Sequence, residues 1–164
     1  MAIQRVEPGP GQESVWDYPR PPALESTADR IRVVFNRVVL ADTRQSWRVL
    51  ETSHPPVYYI PVTDVQMGYL QRTRKASFCE WKGMAHYYTI QVEDRIAADA
   101  AWGYDDPTAA FAEIKDHVAF YPSKMDACYV GEELVHAQAG DFYGGWITEK
   151  IVGPFKGEPG TWGW

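Results

Sequence analysis

The sequence predicts a mainly β domain of antiparallel strands and hairpins with two short helices. A strand, a polar turn and a second strand recur in "VVFNRVVLAD", "IQVEDRIAAD" and "CYVGEELVHA". The run "MAHYYTIQV" sets Met84, His86, Tyr88, Ile90 and Val92 against Ala85, Tyr87, Thr89 and Gln91, which is the period of a strand. At 164 residues the chain has the length for one domain with a sizeable core.

Pro8, Pro10, Pro19, Pro21 and Pro22 punctuate residues 1–27, where regular structure is not expected. Residues 1–30 therefore read as an extended arm, held to the domain by Trp16 and Tyr18. In "IRVVF", Ile31, Val33 and Phe35 share one face, and a turn at Asn36-Arg37 leads into "VVLAD". "SWRVLE" and "PVYYIP" are strands separated by the turn-rich "TSHPP". Thr63 is placed to cap a short helix through "DVQMGYL", with Val65 or Gln66 and Tyr69 or Leu70 on its buried side. The basic "QRTRK" at 71–75 reads as a solvated loop ahead of the next strand. Beyond the hairpin that follows, Glu93-Asp94 turns the chain into "RIAADAAW".

Asp106 as cap and Pro107 at the first position open the second helix, which Phe111 and Ile114 would pin to the sheet. "HVAFY" returns to strand, and "DACYV" and "ELVHA" form a hairpin about Gly131-Glu132. The β domain thus spans 31–136. Residues 137–164 form a Gly-rich arm whose Trp146, Phe155, Trp162 and Trp164 would pack on the domain or on a second copy, as in a homodimer.

A net charge of −6 disfavours nonspecific binding to nucleic acid or an anionic membrane, both of which need a basic face. No apolar run of membrane-spanning length or secretory h-region is present, so a cytoplasmic location is expected. Cys79 and Cys128 form no C-x-x-C pair, and the four histidines show no ligand spacing, so neither metal nor cofactor is expected. Phosphate-loop, dinucleotide and nucleophile-elbow motifs are missing, and the glycine pair in "FYGGW" lacks a strand-to-helix context. The unusual quantity is the 14% of aromatic residues, enough flat amphipathic surface to build a core or to line a pocket.

"SFCEWKGMAHYY" gathers a cysteine, a glutamate, a lysine and a histidine around Gly83. A two-residue Lys82-Gly83 loop would set Cys79 opposite His86, a thiol beside an imidazole. Lysine suits neither common two-residue turn. A three-residue loop, Trp81-Lys82-Gly83, lets Gly83 take the left-handed position and sets Phe78 opposite His86 and Cys79 opposite Ala85. Lys82 at the tip, with Glu51 and Glu80 available beside large rings, could bind a polar metabolite or share a proton.

"VLETSHPPVYYIPVTDV", "SFCEWKGMAHYY", "AAWGYDDP" and "VAFYPSKMDA" resemble the bacterial family catalogued as domain of unknown function 427, over Ile31 to Val135. The resemblance implies a small β fold of the Mss4-like or β-tent kind, with sheets splayed over a cleft. Relatives in that broad group often hold zinc through paired C-x-x-C motifs, which this sequence lacks. The family is also labelled nucleotidyltransferase-like, but no carboxylate pair on a Gly-Ser strand occurs here. The motif covers Glu51, Pro55, Tyr58, Tyr59, Pro61, Cys79, Trp81, Lys82 and Gly83, and farther on Tyr87, Tyr88, Trp102, Tyr104, Tyr121 and Asp126. His86 is not among its positions.

The functional expectation is binding of a small polar molecule. Tyr58, Tyr59, Trp81, Trp102, Tyr104 and Tyr121 would wall a cleft, with Lys82, Glu51 and Cys79 as its reactive groups. The alternatives are an enzyme using Cys79 or Lys82 on a small polar metabolite, and an interaction domain using its aromatic arms.

Overall fold

The computed structural model describes residues 3–140 and 142–164. Its strands begin with β1 (Glu13–Ser14), β2 (Ala23–Thr27), β3 (Ile31–Phe35), β4 (Val38–Thr43) and β5 (Ser46–Leu50). The middle of the chain holds β6 (Val57–Pro61), β7 (Leu70–Cys79), β8 (Gly83–Val92), β9 (Arg95–Tyr104) and β10 (His117–Phe120). Last come β11 (Ala127–Val130), β12 (Glu133–Leu134), β13 (His136–Ala137), β14 (Trp146–Ile147) and β15 (Ile151–Val152).

Two antiparallel sheets share one apolar core. The larger has seven strands in the order β2-β5-β6-β10-β9-β8-β7, and the smaller has four, β12-β11-β3-β4. Asn36 and Arg37 both take positive φ, 46° and 67°, the signature of the two-residue turn that matches strand twist, and they join β3 to β4. Ile31, Val33 and Phe35 point together from β3 onto Tyr58, Ile60, Ile90, Val118 and Phe120 of the large sheet. Because successive strand residues face opposite ways, the large sheet carries a second apolar layer on its far side. That layer holds Tyr59, Tyr87, Trp102, Tyr104 and Tyr121, capped by Phe111 and Ile114.

The N-terminal arm is more ordered than its prolines suggest. Ala23–Thr27 is an edge strand on β5, and β1 runs parallel to β15, so the two arms lie side by side. Trp16 donates its indole N–H to the Pro154 carbonyl of the C-terminal arm at 2.9 Å. Tyr18 is buried and donates to Glu13 at 2.7 Å. The "QRTRK" run is not a loop but part of β7, the opposite edge. Its exposed arginines and lysine protect that edge from pairing with other chains.

Of the two expected helices, the one carrying Phe111 and Ile114 is a pair of short 3-10 turns over Ala109–Ile114 that kink at Phe111, and both side chains are buried. Thr108, not Asp106, is its cap, because Thr108 is drawn to the β7–β8 loop through bonds to the Lys82 and Trp81 carbonyls. The other, at "DVQMGYL", is only two isolated 3-10 turns, and Thr63 caps neither. Val65 bridges to Ala41 and Gln66 N–H donates to Leu40 O at 2.7 Å, so β4 claims the backbone that a helix would need.

Among the described residues, no helix is long and apolar enough to cross a membrane. The C-terminal arm lies on the domain. Trp146 is fully buried, stacks at 5.0 Å on Tyr58 and donates its indole N–H to the Phe120 carbonyl at 3.2 Å.

Candidate functional site

The β7–β8 hairpin turns through Glu80, Trp81 and Lys82, with Cys79 paired to Gly83, Ser77 to Ala85 and Ala76 to His86. Neither expected register is the observed one. The loop is three residues long but begins one residue earlier, and Gly83, at φ +107°, already belongs to the strand. The pairing places Cys79 and His86 on opposite faces of the ribbon, which removes the thiol–imidazole pair. His86 instead contacts Tyr88 at 3.1 Å and Asp105 at 3.4 Å. The loop is braced from below: Thr108 N–H donates to Lys82 O at 3.0 Å and its hydroxyl to Trp81 O at 2.6 Å.

Lys82 thereby reaches into a cavity of about 600 Å³ over the far face of the large sheet. Tyr59, Tyr87, Trp102, Tyr104 and Tyr121 form its floor, and the hairpin tip adds Cys79 and Trp81. Glu51 and His54 contribute from the β5–β6 connection, and Gln138, Tyr143, Gly144 and Lys156 from the C-terminal arm. The floor is tightly knit. Trp102 donates its indole N–H to the Tyr59 oxygen at 3.2 Å and lies 4.5 Å from the Tyr121 ring. Burial pushes the Tyr59, Tyr104 and Tyr121 hydroxyls well above the usual phenol range, so they stay neutral.

Burial disfavours the Lys82 ammonium, but the acidic groups around it, the Glu51 carboxylate among them, outweigh it and raise its pKa. Lys82 makes no ion pair among the described residues. Glu51 is already engaged, by Arg20 at 3.4 Å and by His54 Nε2 at 3.5 Å. The Gln138 amide N–H₂ donates to His54 Nδ1 at 3.2 Å, so the imidazole proton resides on Nε2. Burial, followed by the positive charges of Lys156, Arg20 and Lys82, brings the His54 pKa down to about 4.

The glycine pair has a packing role. A Cβ on Gly144 would lie 2.3 Å from the Trp102 ring, and one on Gly145 would lie 2.5 Å from Gln138 Oε1. Only bare backbone lets the arm lie flat on the indole. Gly144→Ala is expected to displace Trp102, red-shifting tryptophan emission and costing about 1–3 kcal/mol in urea unfolding.

Of the residues expected at the site, the structure brings together Glu51, Tyr59, Cys79, Trp81, Lys82, Trp102, Tyr104 and Tyr121. Tyr58 is the exception. It faces the inter-sheet core against Trp146, because neighbours on one strand cannot share a face. Sequence reasoning missed His54, Gln138, Tyr143 and Lys156, and it placed Tyr87 in the motif but not in the wall. His54 had a usable signal, three residues after Glu51 in one turn. Gln138, Tyr143 and Lys156 had none, since only the return of the arm over the sheet brings them in. Among the described residues, no cluster of His, Cys, Asp and Glu could hold a metal ion.

The family model described as domain of unknown function (DUF427) matches residues 23–131. The chain belongs to this family. No curated protein matches it in sequence. The DUF427 segment begins at the edge strand β2, earlier than the resemblance from Ile31 suggested. It supplies the floor, the hairpin tip and the Glu51–His54 turn. The wall made by Gln138, Tyr143, Gly144 and Lys156 lies beyond the DUF427 match.

Proposed function

We propose that the protein binds a small polar molecule in this cavity. The observation that carries the reading is the Lys82 ammonium, set among neutral phenols with no ion-pair partner among the described residues. An ammonium that stays charged and enters no ion pair among the described residues can meet an anionic group of a guest. The volume of about 600 Å³ falls within the range of small-molecule sites. The separation of Cys79 from His86 supports binding over a thiol–imidazole mechanism. On the same reading, the two sheets form an Mss4-like or β-tent arrangement with the cleft over the larger one.

Thermal unfolding across a panel of polar metabolites tests this. A true ligand at a hundred times its Kd is expected to stabilise the chain by about 2.7 kcal/mol. Lys82→Met, which keeps the stem and removes the charge, is expected to erase that gain. If no metabolite shifts the transition, the cavity is not a binding site.

A further inference from the structure

Resting on that reading, we propose that the occupant is a planar organic carboxylate, its charge at Lys82 and its ring between Trp81 and Tyr143. Four charged side chains line the cavity, Glu51, Glu80, Lys82 and Lys156. Glu51 is held by Arg20, and Glu80 is exposed at the hairpin tip. Lys156 Nζ lies 3.3 Å from the backbone oxygen of Trp164, the last residue of the sequence, and over the Tyr143 ring at 5.8 Å. Lys82 is then a cation in no ion pair among the described residues. Lys82 is thus the group placed to meet an anion, and the low-dielectric aromatic walls strengthen its pull. Burial first, and then the charges of Lys156, Arg20 and Lys82, hold the His54 pKa down.

A carboxylate fits these donors better than a phosphate. The one nearby guanidinium, Arg20, is committed to Glu51 and the Thr52 carbonyl, which leaves single-point ammonium contacts and no bidentate fork. The flat body follows from the rings. Tyr59, Trp102 and Tyr121 are buried against one another, whereas Trp81 and Tyr143 line the cavity from opposite sources and remain half-exposed. An aromatic guest would cover those two faces.

The probes are benzoate, 2-naphthoate, 2-naphthamide, 2-naphthylmethylamine and 2-naphthyl phosphate, followed by tryptophan emission and thermal unfolding of the full chain. One of the two carboxylates is expected to bind at least about tenfold more tightly than the amide or the amine, and to weaken with added salt. Lys82→Met and Lys82→Gln should each cost about tenfold or more for that carboxylate while leaving the melting point of the free protein within a few degrees. If the amide or amine binds as well as the carboxylates, the anion assignment is wrong although the cavity reading stands. Tighter binding of the phosphate overturns the carboxylate in favour of a phosphoryl ligand. Silence from all five probes, together with silence from the metabolite panel, overturns both.

Discussion

Trp146→Ala is expected to lower the unfolding free energy by about 3–5 kcal/mol, the cost of deleting a large buried aromatic. The indole is 1% exposed and sits in the core between the two sheets, tilted on Tyr58 at 5.0 Å. Its N–H satisfies the Phe120 carbonyl at 3.2 Å, so truncation both empties a volume and orphans a buried acceptor. At this chain length, such a loss corresponds to a fall in Tm of roughly 10 °C. Trp146→Phe separates the two contributions: it keeps much of the packing and should cost about 1–2 kcal/mol for the lost hydrogen bond and the smaller ring. The residue also lies outside the DUF427 segment, yet it is the rivet of the arm that walls the cavity. The alanine variant should therefore lose ligand-induced stabilisation as well as intrinsic stability. Urea titration read by circular dichroism checks the first effect. A change under about 1 kcal/mol would mean that the arm is not part of the cooperative core.

The strands were legible because they rest on local rules. Alternation in "MAHYYTIQV" and the Asn36-Arg37 turn are written into neighbouring residues, and β8 and the β3–β4 hairpin follow them. The same alternation, applied to "VYYI", would have divided Tyr58 from Tyr59. Tyr58 and Tyr59, expected on one wall, lie on opposite faces of β6. The helices misled for a different reason. At "DVQMGYL" a capping residue and a periodic pattern are present, but a bridge to β4 outcompetes a nucleus this short. The hairpin register was fixed from outside: Thr108, far along the chain, grips the Lys82 and Trp81 carbonyls and sets where the loop begins. The candidate site divides in the same way. Its floor and lysine come from segments whose aromatic and charged residues stand out, whereas the wall depends on a Gly-rich arm whose path no periodicity encodes.

Acidification should expose the weakest joint between that wall and the domain. The His54 pKa is about 4 in the folded chain, whereas an ordinary histidine titrates near 6.5. The unfolded chain therefore binds a proton that the folded one refuses, and stability falls as pH drops through this window. The contribution is intact above pH ~6.5 and declines toward pH ~4, with a loss of ~2–3 kcal/mol between pH 7.5 and 4.5. The chemistry is local. A protonated imidazole would turn an N–H on Nδ1 toward the Gln138 amide, setting donor against donor where a 3.2 Å bond now stands. Gln138 also binds the Lys156 carbonyl at 2.7 Å and accepts from Gly145 N–H at 3.1 Å, so the disturbance would pass to both ends of the cavity wall. Glu51, 3.5 Å from Nε2, favours the charged ring, and burial with three nearby cations outweighs it. His54→Gln should flatten the stability profile over pH 4.5 to 6.5 relative to the parent, leaving the slope from carboxylates below that range in place. An NMR titration of the His54 ring protons with an ordinary midpoint near 6.5 would show that burial and the neighbouring cations do not hold this ring neutral.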